Sequence, residues 1–225
     1  GTVATGYQFD GWYTTGGTKL SASTTYTYYP TEATTVYAHF SEITYSVQLK
    51  STDINQGTVS PANVNAGQFT GVTITATPKI GYSFVNWTAT DGITIANPNS
   101  ASTTIKATKA GTVTANFKAQ PATTIYLEPT GHWNTHNPQY VAHVWIKNNT
   151  SVNEDIIMTG VGEAPYKYYK AEVPYGYTGV VFFRNSPDGK TLWNQTADLT
   201  IPTDDKTLYV ITDNTNAPAT GEWKV

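Results

Sequence analysis

The sequence lacks cysteine altogether, has a single methionine, and carries only 13% charged residues over its 225 positions. That charged fraction is about half the usual quarter. The missing thiols exclude disulfide scaffolds, cysteine nucleophiles and thiolate metal sites together, and they leave the redox compartment open. Neither charge sign dominates: a net charge of -3 and a pI near 5.8 give no electrostatic footprint for nucleic acid or for an anionic membrane surface. Long hydrophobic runs are missing too. No stretch approaches the roughly 18–20 continuous apolar residues of a membrane span, so no membrane insertion is expected. The opening Gly1-Thr-Val-Ala-Thr-Gly6 carries no basic, apolar, small-residue leader signal and reads as an interior stretch of a larger protein.

What is present is threonine, β-branched residues and aromatics, with 16 tyrosines and six tryptophans. Such a chain is too rich in large apolar side chains for disorder. Turn signals recur every ~8–12 residues and no window holds an apolar pattern at helical period, which predicts an all-β fold. An internal repeat organises the first half. Gly6-Tyr-Gln-Phe9-Asp-Gly-Trp12 is echoed by Gly81-Tyr-Ser-Phe84-Val-Asn-Trp87, and Thr35-Val-Tyr-Ala-His-Phe40 by Thr112-Val-Thr-Ala-Asn-Phe117. Nearly equal spacing makes these two copies of one unit. The second copy, residues 43–118, also has Ser46-Val-Gln-Leu-Lys50, a turn at Asn55-Gln-Gly57 and the alternating Val72–Thr77, which predict a hairpin feeding the Gly-Tyr-x-Phe strand. Residues 1–42 lack these and are expected to be a partial copy. Tyr and Phe of each copy are expected to share one strand face, with Trp three residues past Phe, and these aromatics to form the core of a small sheet, because small modules need large side chains to bury enough area.

The doubled Gly-Tyr-x-Phe-x-x-Trp and Val-x-Ala-x-Phe landmarks resemble the internalin-type B-repeat, or Listeria-Bacteroides repeat, of bacterial cell-surface proteins. The resemblance implies a spacer or adhesion-stalk module located outside the cell.

Residues 119–122 read as a linker, and residues 123–225 as a separate domain holding 11 acidic and 7 basic residues and four of the tryptophans. Six or seven short strands there predict a β-sandwich of the immunoglobulin-like kind. Alternation along Tyr140–Ile146 places Tyr140, Ala142, Val144 and Ile146 on one face and Val141, His143 and Trp145 on the other. The first set suits a core, which turns His143 and Trp145 outward. An exposed indole beside a hydrogen-bonding ring suits a sugar, since the indole covers the C–H face of a pyranose while a polar neighbour fixes its hydroxyls. In Leu192-Trp193-Asn-Gln195, an extended chain puts Trp193 and Gln195 on one face, after the Pro187-Asp-Gly189 turn. Trp133, in the polar Gly131–His136 segment, is either a third platform or a cover over the end of the sandwich.

Ile125-Tyr-Leu-x-Pro129, Val141-Ala-His-Val-Trp145, Val173-Pro-x-Gly-Tyr177 and Trp193-Asn-Gln-Thr-Ala-Asp-Leu199 together resemble the family 26 carbohydrate-binding modules, which bind starch and related α-glucans. The resemblance implies a non-catalytic sandwich with His143, Trp145 and Trp193 as platform and Gln195 as hydrogen-bond partner. The implied ligand is an α-glucan polysaccharide or oligosaccharide, and the implied location is extracellular or at the cell surface.

Enzyme chemistry finds little support. A glycosidase needs two carboxylates ~5–9.5 Å apart across a cleft, whereas Asp188, Asp198, Asp204 and Asp205 fall mostly in turn-like segments. His132 and His136 are four apart, but glycine and Asn137-Pro138 oppose the helix that would align them on a metal. A calcium site among Asp and Asn loop oxygens is left open, without EF-hand spacing. The expectation is a cofactor-free, monomeric binding fragment of a larger protein, whose upstream part could be an amylase or pullulanase. The other class compatible with these features is a structural adhesin or stalk whose last domain binds a protein or host glycan.

Overall fold

The computed structural model describes residues 2–213 and 218–225; Gly1, where the expected interior stretch begins, lies outside them. Among the described residues the protein is all β, broken only by a 3₁₀ turn at Gly131–Asn134. Two compact units emerge: Gly1–Pro78 with Phe84–Lys118, and Lys79–Ser83 with Ala119–Val225. The main division therefore falls at residue 118, beside the segment read as a linker.

In the first unit, β1 (Tyr7–Thr14), β2 (Lys19–Ser21) and β3 (Val36–Glu42) form an antiparallel sheet in the order β2-β1-β3. Strict alternation would put Phe9 and Trp12 on opposite faces. A bulge between Phe9 and Gly11 leaves Asp10 outside the register with β3, and the two rings meet edge to face with centroids 5.5 Å apart. Gly11 takes a φ of 146° at this bulge, which a β-carbon would oppose. Here the sequence spacing Phe-x-x-Trp is itself the mark of the irregularity.

The second copy comprises β4 (Tyr45–Ser51), β5 (Gly57–Ser60), β6 (Asn63–Ala66), β7 (Val72–Pro78), β8 (Tyr82–Ala89), β9 (Ile93–Ile95), β10 (Ser102–Ala107) and β11 (Gly111–Ala119). They form two four-stranded sheets, β6-β4-β11-β8 and β5-β7-β10-β9, around Val47, Leu49, Ile74, Trp87, Ile105 and Val113. The hairpin expected at Asn55–Gly57 is corrected: β4 and β5 belong to different sheets, and β5 pairs antiparallel with β7. Gly57 is there for closeness, since a β-carbon on it would come within 2.4 Å of the Phe117 ring. Trp87 is core, as expected, and donates its Nε1–H to the Ser100 carbonyl at 3.0 Å. The two copies touch through Glu42, whose carboxylate accepts from the Phe69 amide at 2.5 Å, and through stacked Tyr7 and Phe69.

The second unit contains β12 (Thr123–Glu128), β13 (Gln139–Ile146), β14 (Asn149–Ile157), β15 (Thr159–Val161), β16 (Tyr168–Val173), β17 (Gly179–Asn185), β18 (Leu192–Gln195), β19 (Leu199–Thr200), β20 (Leu208–Asp213) and β21 (Thr220–Lys224). One sheet runs β15-β16-β12-β20-β21, the other β14-β13-β17-β18 with β19 also on β17. Ile125, Leu127, Ala171, Val173, Tyr209 and Ile211 from the first pack on Tyr140, Ala142, Val144, Val180 and Phe182 from the second. This is a β-sandwich, and Tyr140, Ala142 and Val144 take the core face of β13 that alternation assigns, while Ile146, past a bulge after Trp145, is not part of that core. The second sheet's outer face is thereby left to His143 and Trp145.

Candidate functional site

On the outer face of β13 and β17, antiparallel register sets His143 opposite Val181, Val141 opposite Phe183 and Trp145 opposite Gly179. On the other flank His143 faces Asp155 of β14, and its Nδ1 lies 2.6 Å from an Asp155 oxygen. A carboxylate only accepts, so this contact assigns the Nδ1 proton to the imidazole and leaves Nε2 for other partners. The His143 ring stacks on Phe183 with centroids 5.3 Å apart and planes 20° from parallel, and it stands tilted beside Trp145 at 5.8 Å. Three rings thus line one sheet face.

These residues bound an open hollow of about 290 Å³ lined by His143, Trp145, Thr150, Val181, Phe183, Gln195 and Asp198. A second hollow of similar size lies against Trp145, Thr150 and Asp198 as well, and adds Lys147, Thr178, Gly179 and Thr200. Trp145 is the one ring among the three residues that line both. Among the described residues no hydrogen bond engages the side-chain amide of Gln195 or the carboxylate of Asp198, so both offer free polar atoms beside exposed ring surface.

The structure brings His143, Trp145 and Gln195 together around one hollow; alternation paired His143 with Trp145, and the resemblance alone implied Gln195 beside them. Trp193 stands elsewhere. β18 pairs Arg184 with Asn194 and Asn185 with Leu192, so Trp193 is the extra residue of a bulge and escapes the alternation expected to align it with Gln195. Its indole, 40% exposed, covers the Arg184 guanidinium and meets His136 edge-on, and it lines neither hollow.

Trp133 is corrected from a possible platform to a core residue. It is fully buried and lies parallel to Tyr140, held because its carbonyl accepts from Tyr140 Oη at 2.6 Å and Arg184 Nε at 3.0 Å. Burial pushes the Tyr140 hydroxyl well above its usual range and lowers Arg184, whose guanidinium also donates to the Thr135 carbonyl. Phe183, Asp155 and Thr150 were not singled out from sequence, and Asp198, weighed there only as a carboxylate in a turn-like segment, lines the hollow. The period-two pattern of Gly179–Arg184 could have revealed Phe183, which shares a face with Val181. Asp155 needed the β13–β14 register, which no local signal supplies.

Among the described residues, no group of three or more His, Asp or Glu side chains could hold a metal ion, and no helix is long and apolar enough to cross a membrane.

The divergent InlB B-repeat domain matches residues 2–44 and 47–121, so the match ends just before β12. No curated protein and no solved structure matches the chain. The match covers both copies of the repeat and more than half of the sequence, and the chain belongs to the divergent InlB B-repeat domain family.

Proposed function

We propose that the second unit is a non-catalytic glycan-binding module that takes starch or a related α-1,4-glucan, displayed by the B-repeats of a secreted or cell-surface protein. The observation that carries this is the hollow in which Trp145 stands beside His143, Phe183 and the free amide of Gln195. Ring surface for the C–H face of a sugar lies next to donors and acceptors for its hydroxyls. The resemblance of residues 123–225 to family 26 modules supports the choice of α-glucan. Asp198 on the wall and Asp155 behind His143 favour a neutral glycan over an anionic one.

Chemistry is not assigned to the hollow. A general acid needs a carboxyl raised by burial, whereas the carboxylates with a clear shift, Glu42, Asp91, Glu172 and Asp188, are all lowered by hydrogen bonds and lie outside it.

The test is affinity electrophoresis in gels containing amylopectin, laminarin, a cellulose derivative or no polysaccharide. Retardation in amylopectin alone is the expected result; equal mobility in all four gels refutes it. A second reading, a stalk or adhesin that binds protein, draws on the first copy, where Tyr37 and Phe40 of β3 are 45% and 48% exposed. Retention by a protein ligand with none by any glycan would favour it.

A further inference from the structure

Gly179 begins β17, buried, directly across from Trp145. A β-carbon built on Gly179 would fall 2.4 Å from Trp145 Cε2, 2.6 Å from Nε1 and 2.7 Å from Cζ2. These distances are far inside van der Waals contact, so the indole lies folded down over the Gly179 backbone. Backbone conformation does not call for glycine here, because Gly179 is not among the residues of positive φ. Glycine in a strand interior is otherwise unfavourable, and its recurrent use is to let another group approach the backbone closely.

The place of that approach matters. With the ring folded onto β17, Trp145 becomes the one ring common to two hollows, Gly179 itself lining the second. A ring standing upright on β13 would withdraw from Gly179 and stop lining both. One indole face is spent on the glycine, which leaves the opposite face for a ligand.

We propose that Gly179 is a positioning residue for the glycan site: it seats the Trp145 indole against β17 so that the ring serves two adjoining sugar subsites. This rests on the glycan-binding function proposed above. Gly179 touches no ligand itself, and its effect passes entirely through the indole. The Cβ of alanine is therefore enough to displace the ring, while the strand's own φ and ψ accept alanine without strain.

The experiment compares the whole chain with Gly179→Ala, Trp145→Ala and the double variant. Acrylamide quenching reports the Trp145 contribution, isolated by difference against Trp145→Phe. Thermal midpoints and retardation in amylopectin are read on each protein. Gly179→Ala is expected to make Trp145 more accessible to quencher and to weaken retardation at least several-fold. In the Trp145→Ala background the same change should add nothing to the binding loss and should recover any midpoint lost by Gly179→Ala, because the clash is with the indole. Unchanged quenching, undiminished retardation, or a midpoint not recovered in the double variant would each overturn the seat. Should the wild-type chain show no retardation at all, the proposed function fails, and quenching with midpoint recovery still decides the seat.

Discussion

The Arg184 guanidinium lies 4.7 Å from the centre of the Trp193 indole while its nitrogens hold the Trp133 and Thr135 carbonyls. Trp193 is thus occupied as a cap on a buried cation. With the cation buried and the ring partly exposed, such a cation–π contact is worth about 1–2 kcal/mol. Trp193→Ala should therefore lower stability by roughly that amount, together with the area uncovered, and should leave amylopectin retardation within about twofold of wild type. Loss of retardation as complete as that of Trp145→Ala would return Trp193 to the platform.

Trp145 and Phe183 carry the opposite expectation. Stacking on an aromatic ring contributes about 0.5–1.5 kcal/mol beyond the area it covers, which is at least severalfold in affinity. Trp145→Ala is expected to abolish measurable retardation with a small change in thermal midpoint, since the ring is only half-buried. Phe183→Ala should weaken binding by removing the support on which His143 stacks. Gln195→Ala should weaken it least. A large stability loss at Trp145 would identify it as core and move the site elsewhere.

What was legible in the sequence follows the physics of strands. Alternation is a local rule, so the core face of β13 and the outward turn of His143 and Trp145 could be read from seven residues. The repeat was legible because both copies keep the same landmarks. The β18 bulge was not, because one inserted residue changes face without changing composition and no repeated spacing marks it; this is why Trp193 was misplaced. Cross-strand partners such as Asp155 depend on register between distant segments, and the sheet switch at Gly57 depends on Phe117 arriving from sixty residues away.

Trp133 offers a test of burial without a hydrogen-bond partner. Its Nε1 is buried and unpaired among the described residues. Trp133→Ala should cost ~3–5 kcal/mol, the usual cost of emptying such a site. Trp133→Phe removes the unsatisfied donor, which relieves about 1–3 kcal/mol of desolvation penalty and offsets part of the lost volume. Denaturant unfolding should show Phe much closer to wild type than Ala, and a phenylalanine variant as unstable as alanine would contradict this.

Glu42 links the two repeat copies, and its pH dependence has a definite sign. The Phe69 amide, helped by Thr70, holds its carboxyl below the usual 4.5. A depressed folded-state pKa gives a stabilisation that is fully present above the unfolded value and is lost as pH falls through the folded one. The first unit's thermal midpoint should therefore fall on acidification below about 4.5 more steeply in wild type than in Glu42→Gln. At neutral pH the glutamine variant should melt lower. Parallel pH profiles for the two proteins would show that the contact contributes nothing.

The two hydrophobic cores share no residue: one is built from Val47 to Phe117, the other from Ile125 to Ala219. Each has its own buried tryptophan and its own pair of sheets, which is what independent folding requires. Residues 123–225 expressed alone are therefore expected to unfold cooperatively and to be retarded by amylopectin, while 43–118 folds and migrates freely. On the proposed reading the polar atoms around Trp145 hold a glycan by hydrogen bonding, without metal or bond cleavage, so chelator should not change retardation and incubation with amylopectin should release no reducing ends. Release above background, abolished by Asp198→Asn, would show an enzyme where a binding surface is proposed. Retardation of 43–118 with none for 123–225 would place the glycan site on the wrong unit, and the hollow beside Trp145 would lose its function.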